Sequence, residues 1–139
     1  MVATILLVFS LDADANTLSH FKTLLKTDVA VAGVGAMRDT GGSGVITINR
    51  LPGTVTVTKA YLYWQGPTNS LDPTANASGL VNGIAVTGTN IGFSGENCWD
   101  FGYPYKNSQA YRANITQIVK DTPDNDVGTR TFFLEGFSR

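Results

Sequence analysis

The sequence predicts an all-β chain, an antiparallel β-sandwich of jelly-roll-like form with one short helix near its N-terminus. Three observations carry that expectation. From Asp28 onward the apolar residues recur with the period of two that belongs to strands, not the 3.6 of helices. Between those runs lie clusters of Gly, Pro, Asn and Ser, the residues that break strands and close turns. Leu80-Val81-Asn82-Gly83-Ile84-Ala85-Val86 sets Asn-Gly between apolar pairs, and a two-residue hairpin turn selects that dipeptide because both of its central positions take positive φ.

Residues 1–11, MVATILLVFSL, read as a first strand. The run is shorter than the ~20 apolar residues that cross a bilayer, and it lacks the positive residues that precede a signal-peptide core. Its functional alternative is a strand donated to a neighbouring subunit. Leu18, Phe21, Leu24 and Leu25 fall on one helical face, and Asn16 or Thr17 can cap it, which predicts a helix over 17–26. The chain therefore divides into an N-terminal strand and short helix, 1–28, and a β-sandwich domain, 29–139. Asp12, Asp14 and Asn16 have the spacing that opens an EF-hand, but Thr17 occupies the glycine position and Thr23 that of the bidentate Glu. Capping and solvation account for them.

Residues 29–34 are small and apolar, 37–44 (MRDTGGSG) make a glycine-rich turn, and 45–49 form a strand. Gly33 and Gly35 lack the third glycine of a dinucleotide loop, whose place Arg38 takes, so a hairpin connection is expected. Leu51-Pro52-Gly53 turns the chain. Val55 and Val57 alternate with Thr until the phase shifts near Thr58 and Lys59, the mark of a bulge or loop. The run 59–66, KAYLYWQG, is the densest apolar and aromatic stretch. It reads as the central strand, with Ala60, Leu62 and Trp64 on one face and Tyr61 and Tyr63 on the other.

Residues 66–79 hold two prolines and little to bury, and predict a surface loop. After the Asn82-Gly83 hairpin, 86–93 should continue the returning strand. Residues 94–107, SGENCWDFGYPYKN, place Trp99, Phe101, Tyr103 and Tyr105 at alternate positions across a Gly/Pro loop. Such rings either cover an end of the sandwich or form a platform on which sugars stack, with Trp64 a further candidate. In 110–119 a strand with Tyr111 in the core and Arg112 at the surface should give way to a helical turn, capped by Asn114 with Gln117 three residues on. Asp124, Asn125 and Asp126 in the acidic loop 121–128 are either a solvated turn or, with carbonyl help, a calcium site. Residues 129–139 form a last strand around Phe132, Phe133, Leu134 and Phe137. Apolar strands at both ends point to subunit exchange there.

Composition excludes several function classes. Ten Lys and Arg against 11 Asp and Glu leave no basic field for a phosphate backbone, so nucleic acid is not expected as a partner. Cys98 is the single cysteine and forms no intrachain disulfide; it is either a buried thiol or an intermolecular bridge. With His20 the single histidine, Cys/His zinc sites are excluded by count and nucleophilic triads lack support. Glu96 and Asp100 are close in sequence, but a glycosidase pair needs a separation of about 5 to 10 Å across a cleft, which sequence proximity does not supply. The chain reads as a non-enzyme without a required cofactor, calcium apart. The sequons at Asn76 and Asn114 permit glycosylation, and Asn76, in the proline-bearing loop, is the accessible one.

Three segments taken together, GSGVITINRLPGTVTVTKAYLYWQG, LVNGIAVTGTNIG and CWDFGYPYKNSQAYRANITQIV, carry a resemblance. They are similar to a β-sandwich domain of large secreted and cell-surface, adhesin-like proteins of bacteria and archaea, whose function is unassigned. The shared features are the AYLYW strand, the Asn-Gly hairpin with Thr-Gly-Thr after it, Cys98-Trp99, and 111–116, with residues 29–137 covered. The resemblance implies an extracellular or cell-surface setting, a non-enzymatic role and no catalytic residues to carry over. The function expected is a structural or adhesive module that self-assembles with its own copies or with other chains of one surface assembly, as a filament or surface-layer subunit. The alternative is a carbohydrate-binding module using residues 99–105.

Overall fold

The computed structural model describes residues 20–49, 55–94, 105–125 and 128–137. Among these residues a 3-10 turn, Met37–Thr40, leads into seven strands and one helix: β1 (Gly44–Ile48), β2 (Tyr61–Thr68), β3 (Ser78–Val81), β4 (Ile84–Thr87), β5 (Thr89–Ser94), β6 (Asn107–Asn114), α1 (Thr116–Asp121) and β7 (Arg130–Glu135). They make two sheets, one of four strands in the order β1-β7-β3-β4 and one of three in the order β2-β6-β5. Every pairing is antiparallel. The period of two explains why: along β6 the residues alternate strictly, with Asn107, Gln109, Tyr111 and Ala113 buried.

One apolar cluster draws on both sheets. Leu62 and Ala113 come from the three-stranded sheet, Val81, Val86, Phe132 and Leu134 from the four-stranded one, and Ile115 just before α1, Val119 of α1 and Phe137 beyond β7 join them. Full burial of such a side chain contributes about 1.5–3 kcal/mol, so this cluster is the main source of cohesion.

The Asn82-Gly83 hairpin forms as its sequence requires. Asn82 lies at φ 52 and Gly83 at φ 75, and β3 and β4 pair on either side of them. The returning strand does not run on to Phe93, however. It stops at Thr87, and β5 restarts at Thr89 in the other sheet. Gly88 is the point of transfer. Its N–H donates to the Ala77 carbonyl at 2.7 Å, and it lies directly under the Trp64 ring.

Three other expectations are corrected. The predicted 17–26 helix is absent from its described part, since residues 20–26 hold no helix and Lys26 sits at φ 55. A helix so short is marginal in water unless it docks an apolar face, and Leu24 and Leu25 remain exposed. Phe21 turns instead to the outside of the three-stranded sheet, edge-on to Tyr61 at 5.3 Å and beneath the Arg112 guanidinium at 3.3 Å. Second, β2 is an outer strand among the described residues and β6 the middle one. Pro67 lies within β2, and a residue with no N–H belongs on a sheet edge. Third, 29–34 and 55–58 form no strand.

The loop between β2 and β3 is exposed over 71–75, as expected, but it is pinned from beneath. Asn107 Nδ2 donates to the Ser70 carbonyl at 2.7 Å, and Gln109 Nε2 to the Asp72 carbonyl at 3.1 Å. Two fully buried amides are thereby satisfied, which removes the cost of burying them.

Candidate functional site

Phe133 is the largest apolar group that the four-stranded sheet turns to solvent. Its strand neighbours Phe132 and Leu134 point into the core, so the alternation of β7 forces the ring outward, 56% exposed, opposite Val45 of β1. Beside it opens a groove of about 550 Å³, lined by Asn82, Thr122, Asp124, Asn125 and Thr129 among others. The polar wall is largely turned on itself. Asn82 exchanges hydrogen bonds with the Phe133 backbone, accepting from its N–H at 2.8 Å through Oδ1 and donating its own N–H to the carbonyl at 2.8 Å. Asn82 Nδ2 donates to Thr122 Oγ1 at 3.0 Å. The groove thus offers an aromatic face with a rim of hydroxyls.

The acidic turn beside this groove is held by a cation of the protein's own. Arg130 Nε pairs with Asp124 Oδ1, its NH2 reaches Oδ2 at 3.4 Å, and its NH1 donates to the Val119 carbonyl at 2.8 Å. Asn125 Oδ1 accepts from the Thr129 N–H at 2.9 Å, which shapes the turn. Asp126 lies outside the described residues. Among the described residues no group of three His, Cys, Asp or Glu side chains is placed to hold a metal ion.

The aromatic candidates do not come together within the described residues. Trp99 and Tyr103 lie outside them, as do Cys98, Glu96 and Asp100. Tyr105 is half-buried with the Arg38 guanidinium 5.3 Å from its ring centre. Trp64 faces inward. It stacks on Tyr111 at 5.5 Å, meets Phe137 edge-on at 5.1 Å, and donates Nε1–H to the Asn76 carbonyl at 2.8 Å. These partners occupy its stacking face, its edge and its donor.

Asn76 is half-buried, its N–H donating to Tyr111 Oη at 3.3 Å. Asn114 is exposed, and its Oδ1 accepts from the Thr116 N–H at 3.1 Å and from Thr116 Oγ1 at 2.6 Å at the start of α1. Gln117 does not close a capping box; it bonds Asp121 Oδ1 at 2.8 Å. In the loop after β2, Asp72 Oδ1 accepts from the Thr74 N–H at 2.8 Å and from Thr74 Oγ1 at 2.7 Å, and these bonds hold its carboxyl below the usual carboxylate range.

Two features escaped sequence reasoning. One is the Arg112–Phe21 contact, which joins residues 91 positions apart and has no local signal. The other is the segment 28–34, DVAVAGV. It has strand-forming composition, yet Val29 is 82% and Val31 87% exposed, and among the described residues no hydrogen bond reaches it. Also among the described residues, no helix is long and apolar enough to cross a membrane. No protein-family model, curated protein or solved structure matches the chain.

Proposed function

We propose that the chain is a non-enzymatic structural or adhesive module of an extracellular or cell-surface assembly, its two sheets forming the layers of a β-sandwich, and that copies join by sharing strands. The observation that carries this reading is the segment 28–34, rich in exposed valine and, among the described residues, reached by no hydrogen bond. An exposed strand-former gains main-chain hydrogen bonds and loses apolar exposure together when it adds to a sheet edge, which supports durable assembly without catalysis. Exchange belongs to the N-terminal part of the chain. β7 at the other end is paired on both sides, by β1 and β3, and would have to break two ladders to leave.

Light scattering with electron microscopy of the same sample tests the reading. Regular oligomers or filaments are expected; a monomer at every concentration overturns it.

A second reading, carbohydrate binding, draws on the Phe133 ring and the hydroxyl-lined groove beside it. Saturable shifts of Phe133 ring resonances on titration with oligosaccharides would favour it.

A further inference from the structure

We infer that residues 28–34 of one copy add as a fifth strand to the open edge of β4 in a second copy. The inference rests on the self-assembly reading above and names its donor and its acceptor.

The donor is defined by what it lacks. After Asp28 the run VAVAGVG carries no charge, and Val29 and Val31 are almost wholly in water. Two residues apart, they share one face of an added strand, with Ala30 and Ala32 on the other.

The acceptor follows from comparing the outer strands. Folded proteins guard sheet edges with charge, proline or bulges. Among the described residues β2 carries Pro67, β5 has a register irregularity between Asn90 and Gly92, and β1 has Val34 and Met37 of its own chain packed on the inner face of its start, at Gly44. β4, Ile-Ala-Val-Thr, has no such guard and, among the described residues, pairs with β3 alone. The core is also incomplete there. Ile84 is the cross-strand partner of fully buried Val81 and so lies on the core side, yet it is 49% exposed. A strand laid along β4 with Val29 and Val31 inward covers Ile84 and extends the core by one strand.

The occupant is a second copy because β4 and the donor beyond Asp28 carry no charge and the chain as a whole has a net charge of only −1, so copies approach with little repulsion. Donor and acceptor are different patches: copies joined head to tail form rings or filaments, and reciprocal exchange between two copies closes a two-fold dimer.

Cysteine pairing on a Cys98→Ser background tests this. Ala30 and Ala85 are exposed, and both lie on the outward side of the added strand and of β4, so a disulfide between copies reports their apposition. A mixture of Ala30→Cys or Ala32→Cys chains with Ala85→Cys chains should cross-link, whereas Thr47→Cys on the β1 edge should not. In parallel, Ala85→Lys, a guard placed on the open edge, should hold the protein monomeric at concentrations where the unaltered chain assembles, and Thr47→Lys should leave assembly intact. Circular dichroism identifies any variant that fails to fold. Assembly that survives Ala85→Lys without cross-linking at Ala85 overturns the proposed edge while leaving self-assembly standing. A native chain that never assembles overturns both.

Discussion

Trp64 and Tyr111 are direct partners across the β2–β6 ladder, and their rings stack at 5.5 Å with 21° between planes. The pair ties several elements together. Trp64 donates to the Asn76 carbonyl, Tyr111 Oη accepts from the Asn76 N–H and donates to Gln109 Oε1, and Gln109 in turn holds the loop carbonyls.

Truncating this pair should be among the costliest changes in the chain. Trp64→Ala removes the ring from the core and is expected to destabilise by about 3–5 kcal/mol. Trp64→Phe keeps a ring to stack but leaves the Asn76 carbonyl without its donor, a loss of about 1–3 kcal/mol. Urea denaturation separates the two.

Two glycines should fail for different reasons. A Cβ on Gly88 would fall 2.7 Å from Trp64 Cζ2, and nearer still to Cη2, so Gly88→Ala should cost about 1–3 kcal/mol through overpacking. At Gly83 there is open space, but φ is 75°. Gly83→Ala should therefore cost about 1–2 kcal/mol from backbone strain, and Gly83→Asn less, because Asn tolerates the left-handed region. Thermal melts of the three variants check this ordering.

The Arg130–Asp124 pair is part-buried, and Arg130 also caps the end of α1 through the Val119 carbonyl. Arg130→Met should destabilise by about 1–3 kcal/mol, since it leaves both a carboxylate and a carbonyl without their donor. Because both Asp124 oxygens face Arg130, adding calcium in place of a chelator should leave the melting temperature unchanged. A rise with calcium would contradict this assignment of Asp124.

Asp72 links the loop after β2 to pH. Its folded carboxyl titrates below its ordinary value, chiefly through the Thr74 N–H and then the Thr74 hydroxyl. A depressed carboxyl stabilises above its unfolded pKa, and that contribution is lost as pH falls through the folded one. The protection of the Thr74 amide, its exchange rate compared with the intrinsic rate at each pH, should therefore fall on acidification, while Asp72→Asn should flatten the dependence. A profile unchanged in that variant would sink the attribution.

Phe21 holds the described residues before β1 to the three-stranded sheet through Tyr61 and Arg112. Phe21→Ala removes the Arg112 and Tyr61 contacts at a cost of about 1 kcal/mol, small for the fold. Proteolysis between residues 22 and 33 should nonetheless become markedly faster.

Much of the β architecture was legible because it is written in local periods. The Asn82-Gly83 turn, the inward Tyr111 and the helical turn after Asn114 each depend on residues within a few positions of one another. What sequence could not fix depends on distant partners. Aromatic density made β2 look central, although Pro67 already argued for an edge. The Leu18-Phe21-Leu24-Leu25 spacing suggested a helix, but spacing does not provide a surface to dock on, and Phe21 found Tyr61 and Arg112 instead. Val86 to Phe93 read as one strand because a single glycine gave no sign that Trp64 would lie over it. Of the candidate site, the pairing of Asp124 with Arg130 was likewise invisible, since both readings of the acidic turn looked only at its carboxylates.

Sedimentation velocity across a hundredfold range of concentration tests the central claim most directly. If copies share strands, the weight-average mass should climb well above the 14.8 kDa of one chain, to that of a dimer or beyond. A single boundary that stays at the mass of one chain throughout the range would contradict it.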